Sequence, residues 1–167
     1  NTFLPADDVN RGITWDVKKF EFDNMFSYGE DNVVDFTKLN GIVGIFAPNA
    51  SGKSSLLDAL SFCLFDTSSR AFKALNVLNS KKDTFYCKAE LEVDGCQYYI
   101  ERRGKKQRNG HVKVDVDFWT YDDAGEKLSL NGDQRRTTDV NIRKVIGTYE
   151  DFIMTALSLQ TNSTVFI

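Results

Sequence analysis

The stretch GIFAPNASGKSS, residues 44–55, decides how this chain reads. Its ending, Gly52-Lys53-Ser54, closes the phosphate-binding pattern G-x-x-x-x-G-K-[ST]. In that pattern a turn of small residues aims backbone N–H groups at phosphates, the Lys reaches the β- and γ-phosphates, and the hydroxyl holds Mg²⁺. The pattern's first glycine is here Ala47. That glycine serves backbone geometry, and Pro48 beside it already stiffens the turn. Alanine costs little there unless left-handed dihedrals are required. Both flanks suit the loop. The apolar run GIVGIF (41–46) reads as a strand buried on both faces. KSSLLDALSFCLF (53–65) reads as a helix with a broad apolar face. A chance GKS at a helix start explains neither flank. The candidate nucleotide set is therefore Asn49, Ala50, Ser51, Gly52, Lys53, Ser54 and Ser55, with ATP and Mg²⁺ as the expected cofactors.

Bulk properties bound the rest. With 167 residues, 41% of them apolar, one domain is the default. A net charge of −3 excludes a uniformly basic surface, so any nucleic-acid contact must come from a local patch. Cys63, Cys87 and Cys96 form no C-x-x-C pair, and with the single His111 they make no metal set. They read as reduced thiols of a cytoplasmic or nucleoid protein, nuclear in a eukaryote. No apolar run is long enough to span a membrane, and no signal peptide is seen. The missing initiator Met and the abrupt end are expected of a piece of something longer.

Residues 1–12 read as an extended lead-in. From 13 to 66 the pattern suggests a phosphate-loop core. ITWDVKKFEFDNMFSYG alternates through Trp15 and Val17, slips one place, and resumes at Phe20 and Phe22, which marks a half-buried strand. DNVVDF is a second short strand. Thr67 to Asp83 is a mostly polar linker with room for a short helix. From 84 to 130 strands alternate without helices between them. Asp94-Gly95 signals a type I′ hairpin, a turn is expected over Asp122–Gly125, and Asn131-Gly132 also reads as a hairpin turn. From 137 to 167 two helices are expected. Thr138 or Asp139 would cap the first and Gly147 would end it. Thr148 with Asp151 would open the second.

A self-contained phosphate-loop enzyme also needs an apolar strand ending in Asp to hold Mg²⁺. VKVDVDF and AELEVD alternate, and NVVDF is too short, so these residues contain none. Helices do not alternate with strands after the loop, as they would in a nucleotide kinase or small GTPase.

A phosphate loop, then a meander, then helices and a Gln-bearing segment resembles the first half of an ABC-type ATPase head. KKFEFDNMFSYGEDNVVDFTKLNGIVGIFAPNASGKSSLLDALSFCLFD is more narrowly similar to the opening of SMC-like DNA-repair ATPases of the SbcC and Rad50 type. IRKVIGTYEDFIMTALSLQTN is similar to the segment leading to that family's Q-loop. The implied fold is α/β: the N-terminal lobe of a P-loop NTPase head, with a mixed core sheet around the P-loop helix and an antiparallel β lobe. The resemblance makes Lys53 and Gln160 the catalytic candidates and Ser54 and Gln160 the Mg²⁺ candidates. It implies four partners: the C-terminal half of the same ATPase, a second head on ATP binding, an SbcD-type nuclease, and double-stranded DNA; a coiled coil is expected to join the two halves. Alone, this half is expected to hydrolyse ATP poorly or not at all. Ala47, Ala50 and Phe26 depart from the family pattern. RecF- or RecN-like repair proteins, chromosome-structural SMC heads and a DNA-binding module with a decayed loop stay open as alternatives. LSLNGDQRR (128–136) resembles a signature loop only superficially.

ERRGKKQRNGHVK (101–113) packs Arg102, Arg103, Lys105, Lys106, Arg108 and Lys113 against one acid. On a hairpin tip it suits DNA phosphates, a contact that positions without reading sequence. It equally suits a solvated strand end. Tyr98, Tyr99, Phe118, Trp119 and Tyr121 lie on strands, where packing is the expected role.

Overall fold

The computed structural model describes residues 15–38, 53–67 and 73–154. Six strands form one antiparallel sheet: β1 (Trp15–Asp23), β2 (Asn32–Asp35), β3 (Thr84–Val93), β4 (Cys96–Lys106), β5 (Val112–Tyr121) and β6 (Lys127–Ser129), in the order β2-β1-β3-β4-β5-β6. Among the described residues three helices are named beside them: α1 (Lys53–Phe65), α2 (Ala74–Val77) and α3 (Arg135–Ile146). Residues 149–154 are also helical.

The period slip in the first strand is real. The β1–β3 register shifts between Val17 and Lys19, a bulge that takes up the extra residue. It returns Phe20 and Phe22 to the face carrying Val17, and all three are buried. β3 alternates without interruption and places Phe85, Cys87, Ala89 and Leu91 inward. The β3–β4 turn has Asp94 at φ 50° and Gly95 at φ 82°. Left-handed dihedrals at both central residues define the expected type I′ turn.

The sequence pattern assigns β1 and β2 to a core separate from the later meander. The structure instead pairs β1 directly with β3, from Trp15↔Val93 to Asp23↔Tyr86. The strands thus form one continuous sheet. The parallel element of a mixed core sheet rests on residues 41–46, which lie outside the described residues.

α1 lies against the inward face of that sheet. From Asp58 to Phe65 every residue is buried, so the helix is enclosed all round rather than along one stripe. Its Leu60, Phe62 and Leu64 join Phe85, Ile100 and Phe118 in the core. Each such large side chain contributes about 1.5–3 kcal/mol through burial. α2 supplies the short helix of the linker.

Two expectations are corrected. α3 begins earlier than its suggested caps: Gln134 is the N-cap, and its N–H donates to the Thr137 hydroxyl at 2.9 Å. Thr138 and Asp139 are buried inside the helix instead. Gly147 does end it, at φ 82°, and the Thr148 hydroxyl accepts the Asp151 N–H at 3.2 Å. Asn131-Gly132 is not a hairpin turn. The Asn131 side-chain oxygen accepts the Phe118 N–H at 2.7 Å, its amide donates to Asp117 at 3.0 Å, and the chain runs on into α3.

Candidate functional site

Lys53 and Ser54 are the first two residues of α1, and half-buried Ser55 completes its opening. The first N–H groups of a helix have no intrahelical partner, and the aligned peptide dipoles make that end electropositive. α1 carries no acidic residue in its first turn, so its own side chains do not neutralise this end. A hydroxyl residue directly after Lys53 fits the chemistry of a phosphate-bound Mg²⁺. Asn49, Ala50, Ser51, Gly52 and Gln160 lie outside the described residues.

The other end of α1 carries an arrangement that charge counting misses. Arg102 has no exposed surface. Its Nε donates to the Cys63 carbonyl in the last turn of α1 at 2.7 Å. Its Nη2 donates to Asp139 Oδ1 on α3 at 2.8 Å. Just beyond α1, Asp66 adopts φ 62° and accepts Arg135 Nε at 2.8 Å, with a second bond from Arg135 Nη2. Burial alone would lower the Arg102 pKa, but Asp139, and then Asp66, hold it above its ordinary value. Burial, reinforced by Asp66, raises the Asp139 carboxyl against the pull of Arg102. Arg102 therefore leaves the DNA-contact set. The signal was present: in β4 it follows Tyr98 and Ile100 in the inward phase of a period-two pattern.

Arg103 faces the other side of the sheet. It stacks 4.6 Å from the Tyr86 ring centre and lies 3.5 Å from Glu101. Burial, then the hydrogen bond to Glu101, raises the Tyr86 phenol. Lys105, Lys106 and Arg108 are exposed at the β4–β5 tip, as expected. Lys105 sits directly across from Lys113, a like-charge placement that costs stability. The Lys106 N–H donates to the Asp83 carbonyl at 2.8 Å, bringing exposed Lys81 and Lys82 to the same end of the sheet. These two lysines are distant from the patch in sequence, so spacing alone does not join them to it. A nearby pocket of about 580 Å³ mixes Arg103 and Lys105 with Asp23 and Asp115, so it is no simple phosphate cradle.

Tyr98, Tyr99, Phe118 and Trp119 behave as packing groups, whereas Tyr121 is 45% exposed. Tyr99 stacks on Trp119 at 5.4 Å, and Tyr98 on Phe118 at 6.0 Å. Cys63 and Cys87 are buried free thiols and Cys96 is an exposed one. Among the described residues there is no metal-ligand cluster, and no helix is long and apolar enough to cross a membrane.

A family model described as an AAA domain matches residues 19–163. The chain belongs to this AAA domain family. Membership carries the α/β fold of a P-loop NTPase of the ABC and SMC-head type, whose antiparallel sheet and packed helices are described above. The chain is 42% identical over 160 residues to the uncharacterized protein R555 of Acanthamoeba polyphaga mimivirus, covering 92% of this chain and 12% of that protein. It is 27% identical over 135 residues to the SbcC component of the SbcCD nuclease of Bacillus subtilis, covering 77% and 12%. It is 34% identical over 123 residues to the DNA double-strand break repair Rad50 ATPase of Methanocaldococcus jannaschii, covering 74% and 10%. The chain thus spans about a tenth of the length of these curated relatives.

Proposed function

We propose that the chain is the ATP-binding, N-terminal half of an SMC-like ATPase head that drives DNA double-strand-break processing together with a nuclease partner. The observation that carries this reading is the position of Lys53 and Ser54 as the opening residues of a buried helix with no acid in its first turn. The relatives named SbcC and Rad50 support the same class. In this reading the backbone from Asn49 to Ser55 cradles the phosphates, and Lys53 offsets their charge. Ser54 and Gln160 would hold Mg²⁺ and orient water, and the ion would supply positive charge against the phosphoryl group. Hydrolysis requires the C-terminal half and a second head, so this half alone turns over poorly. Lys105, Lys106 and Arg108, joined by Lys113, Lys81 and Lys82, contact the phosphates of double-stranded DNA. The like-charge pairing of Lys105 with Lys113 supports an anionic partner there.

The test is calorimetric titration of the full-length protein with ATP and Mg²⁺. Lys53→Ala is expected to abolish measurable binding while leaving the thermal unfolding of the unliganded protein in place. Equal affinities in the two proteins overturn the assignment.

A further inference from the structure

The same two helix ends are joined twice. From the sheet side, Arg102 on β4 reaches both the Cys63 carbonyl at the end of α1 and Asp139 in α3. Asp66, directly after α1, holds Arg135 in the first turn of α3 through two bonds of one guanidinium. Farther along, Phe65 of α1 contacts Tyr149 at 6.0 Å and Phe152 at 5.3 Å. The end of α1 is therefore fastened to α3 and to the helical residues 149–154 that follow it.

A buried ion pair is a poor way to gain stability, because apolar residues of equal volume pack without desolvating charge. Its best-attested use is to select one arrangement of the elements it joins. Two features fit that use here. Paired donors fix direction as well as distance, since the guanidinium fork is planar. Among the described residues Arg102 Nη1 has no partner, so the buried fork is held through its Nε and Nη2 bonds alone. α1 has 13 residues, a rod of about 20 Å, so a displacement at its Lys53 end is delivered to its Phe65 end.

We propose that Arg102 is a positioning residue which, with the Asp66–Arg135 pair, locks α3 to α1, so that an anionic ligand held at the front of α1 is felt along α3. This rests on the reading of Lys53 and Ser54 as a triphosphate site. The locked unit extends to residue 154, six positions before Gln160. Ligand capture at one end of α1 thereby biases the segment leading to the second candidate Mg²⁺ residue. The work falls to two discrete pairings rather than to general rigidity.

The test is amide hydrogen exchange of residues 135–154 in the full-length protein, with and without ATP and Mg²⁺, alongside ATP affinity. In the wild type, ATP is expected to slow exchange in α3 by about tenfold, within the roughly 5–150-fold usual for coupled sites. Arg135→Gln breaks the outer, part-exposed link and is expected to keep ATP affinity within about threefold while losing most of that slowing. Arg102→Lys retains charge but loses the fork, and is expected to do the same. A purely structural role predicts lower unfolding temperatures but undiminished ATP-dependent slowing in both variants, and that result overturns the inference. So does a wild type that binds ATP with no change in α3. A wild type that binds no ATP overturns the proposed function, and this inference with it.

Discussion

Replacing Arg102 by methionine separates two readings of the same residue. On sequence it is one of six cations in a solvent-facing patch, and a surface substitution of that kind changes stability by about 0.5 kcal/mol or less. In the structure it is fully buried, and its removal leaves the Asp139 carboxylate, 7% exposed, without its cationic partner and strips the Cys63 carbonyl of a donor. Removing one member of a buried pair costs about 3–5 kcal/mol, most of it from the charge left behind. With a urea slope of about 2 kcal/mol/M, the unfolding midpoint falls by about 1.5–2.5 M. The assay is urea unfolding followed by tryptophan fluorescence, which Trp15 and Trp119 report. A second variant, Arg102→Met with Asp139→Leu, removes both charges and is expected to return to within about 1–2 kcal/mol of wild type, since apolar replacement of a buried pair is often neutral or better. A single variant costing under about 1 kcal/mol refutes the buried-pair account. So does a double variant no more stable than the single.

Other outcomes follow from neighbouring features. Charge reversal at Lys105 and Lys106 is expected to weaken double-stranded DNA binding and reduce the slope of log affinity against log salt by about 1.8, at ~0.9 per lost phosphate contact; fluorescence anisotropy across a salt series reads it, and an unchanged slope removes the tip from the interface. Gly104→Ala places a Cβ inside the Phe85 ring's volume, and overpacking of about 1–3 kcal/mol should lower Tm by about 2–12 °C in calorimetry. Tyr86 has its pKa raised from 10.0 by burial and by Glu101. Its contribution to stability is therefore complete below pH 10 and is lost as pH rises through the higher folded value, because the unfolded chain ionises first. Tyr86→Phe should flatten the alkaline arm of the stability profile, and an identical arm in both proteins shows that another group sets it.

Much of the architecture was legible because its local signals agree. The Asp94-Gly95 turn, the uninterrupted alternation of β3 and the slip at Val17 each have one backbone solution. The joining of β1 to β3 was not legible. Strand partners across 60 intervening residues are chosen by complementary faces, and period alone does not rank them. The start of α3 was misplaced because Gln is not a usual N-cap residue; here the Gln134 N–H is satisfied by the Thr137 hydroxyl three positions on. Thr138 and Asp139 looked like caps because the same chemistry serves buried hydrogen bonding. At the candidate site, the identity of Lys53 and Ser54 was plain from spacing. The fate of Arg102 was hidden by a run of cations that draws the eye to charge and away from phase.

The pairing of β1 with β3 also sets a timetable. Sixty-three positions separate Asp23 from its partner Tyr86. At about 5–20 residues per second, β1 waits roughly 3–13 s on the ribosome before β3 exists. Phe20 and Phe22 have only the short β2 beside them for that interval, through Val34 and Asn32, and are flanked by Lys18, Lys19, Glu21 and Asp23. Those four charges, unremarkable in the finished sheet, act as gatekeepers that keep a nascent aromatic strand from aggregating along its open edge before β3 is made.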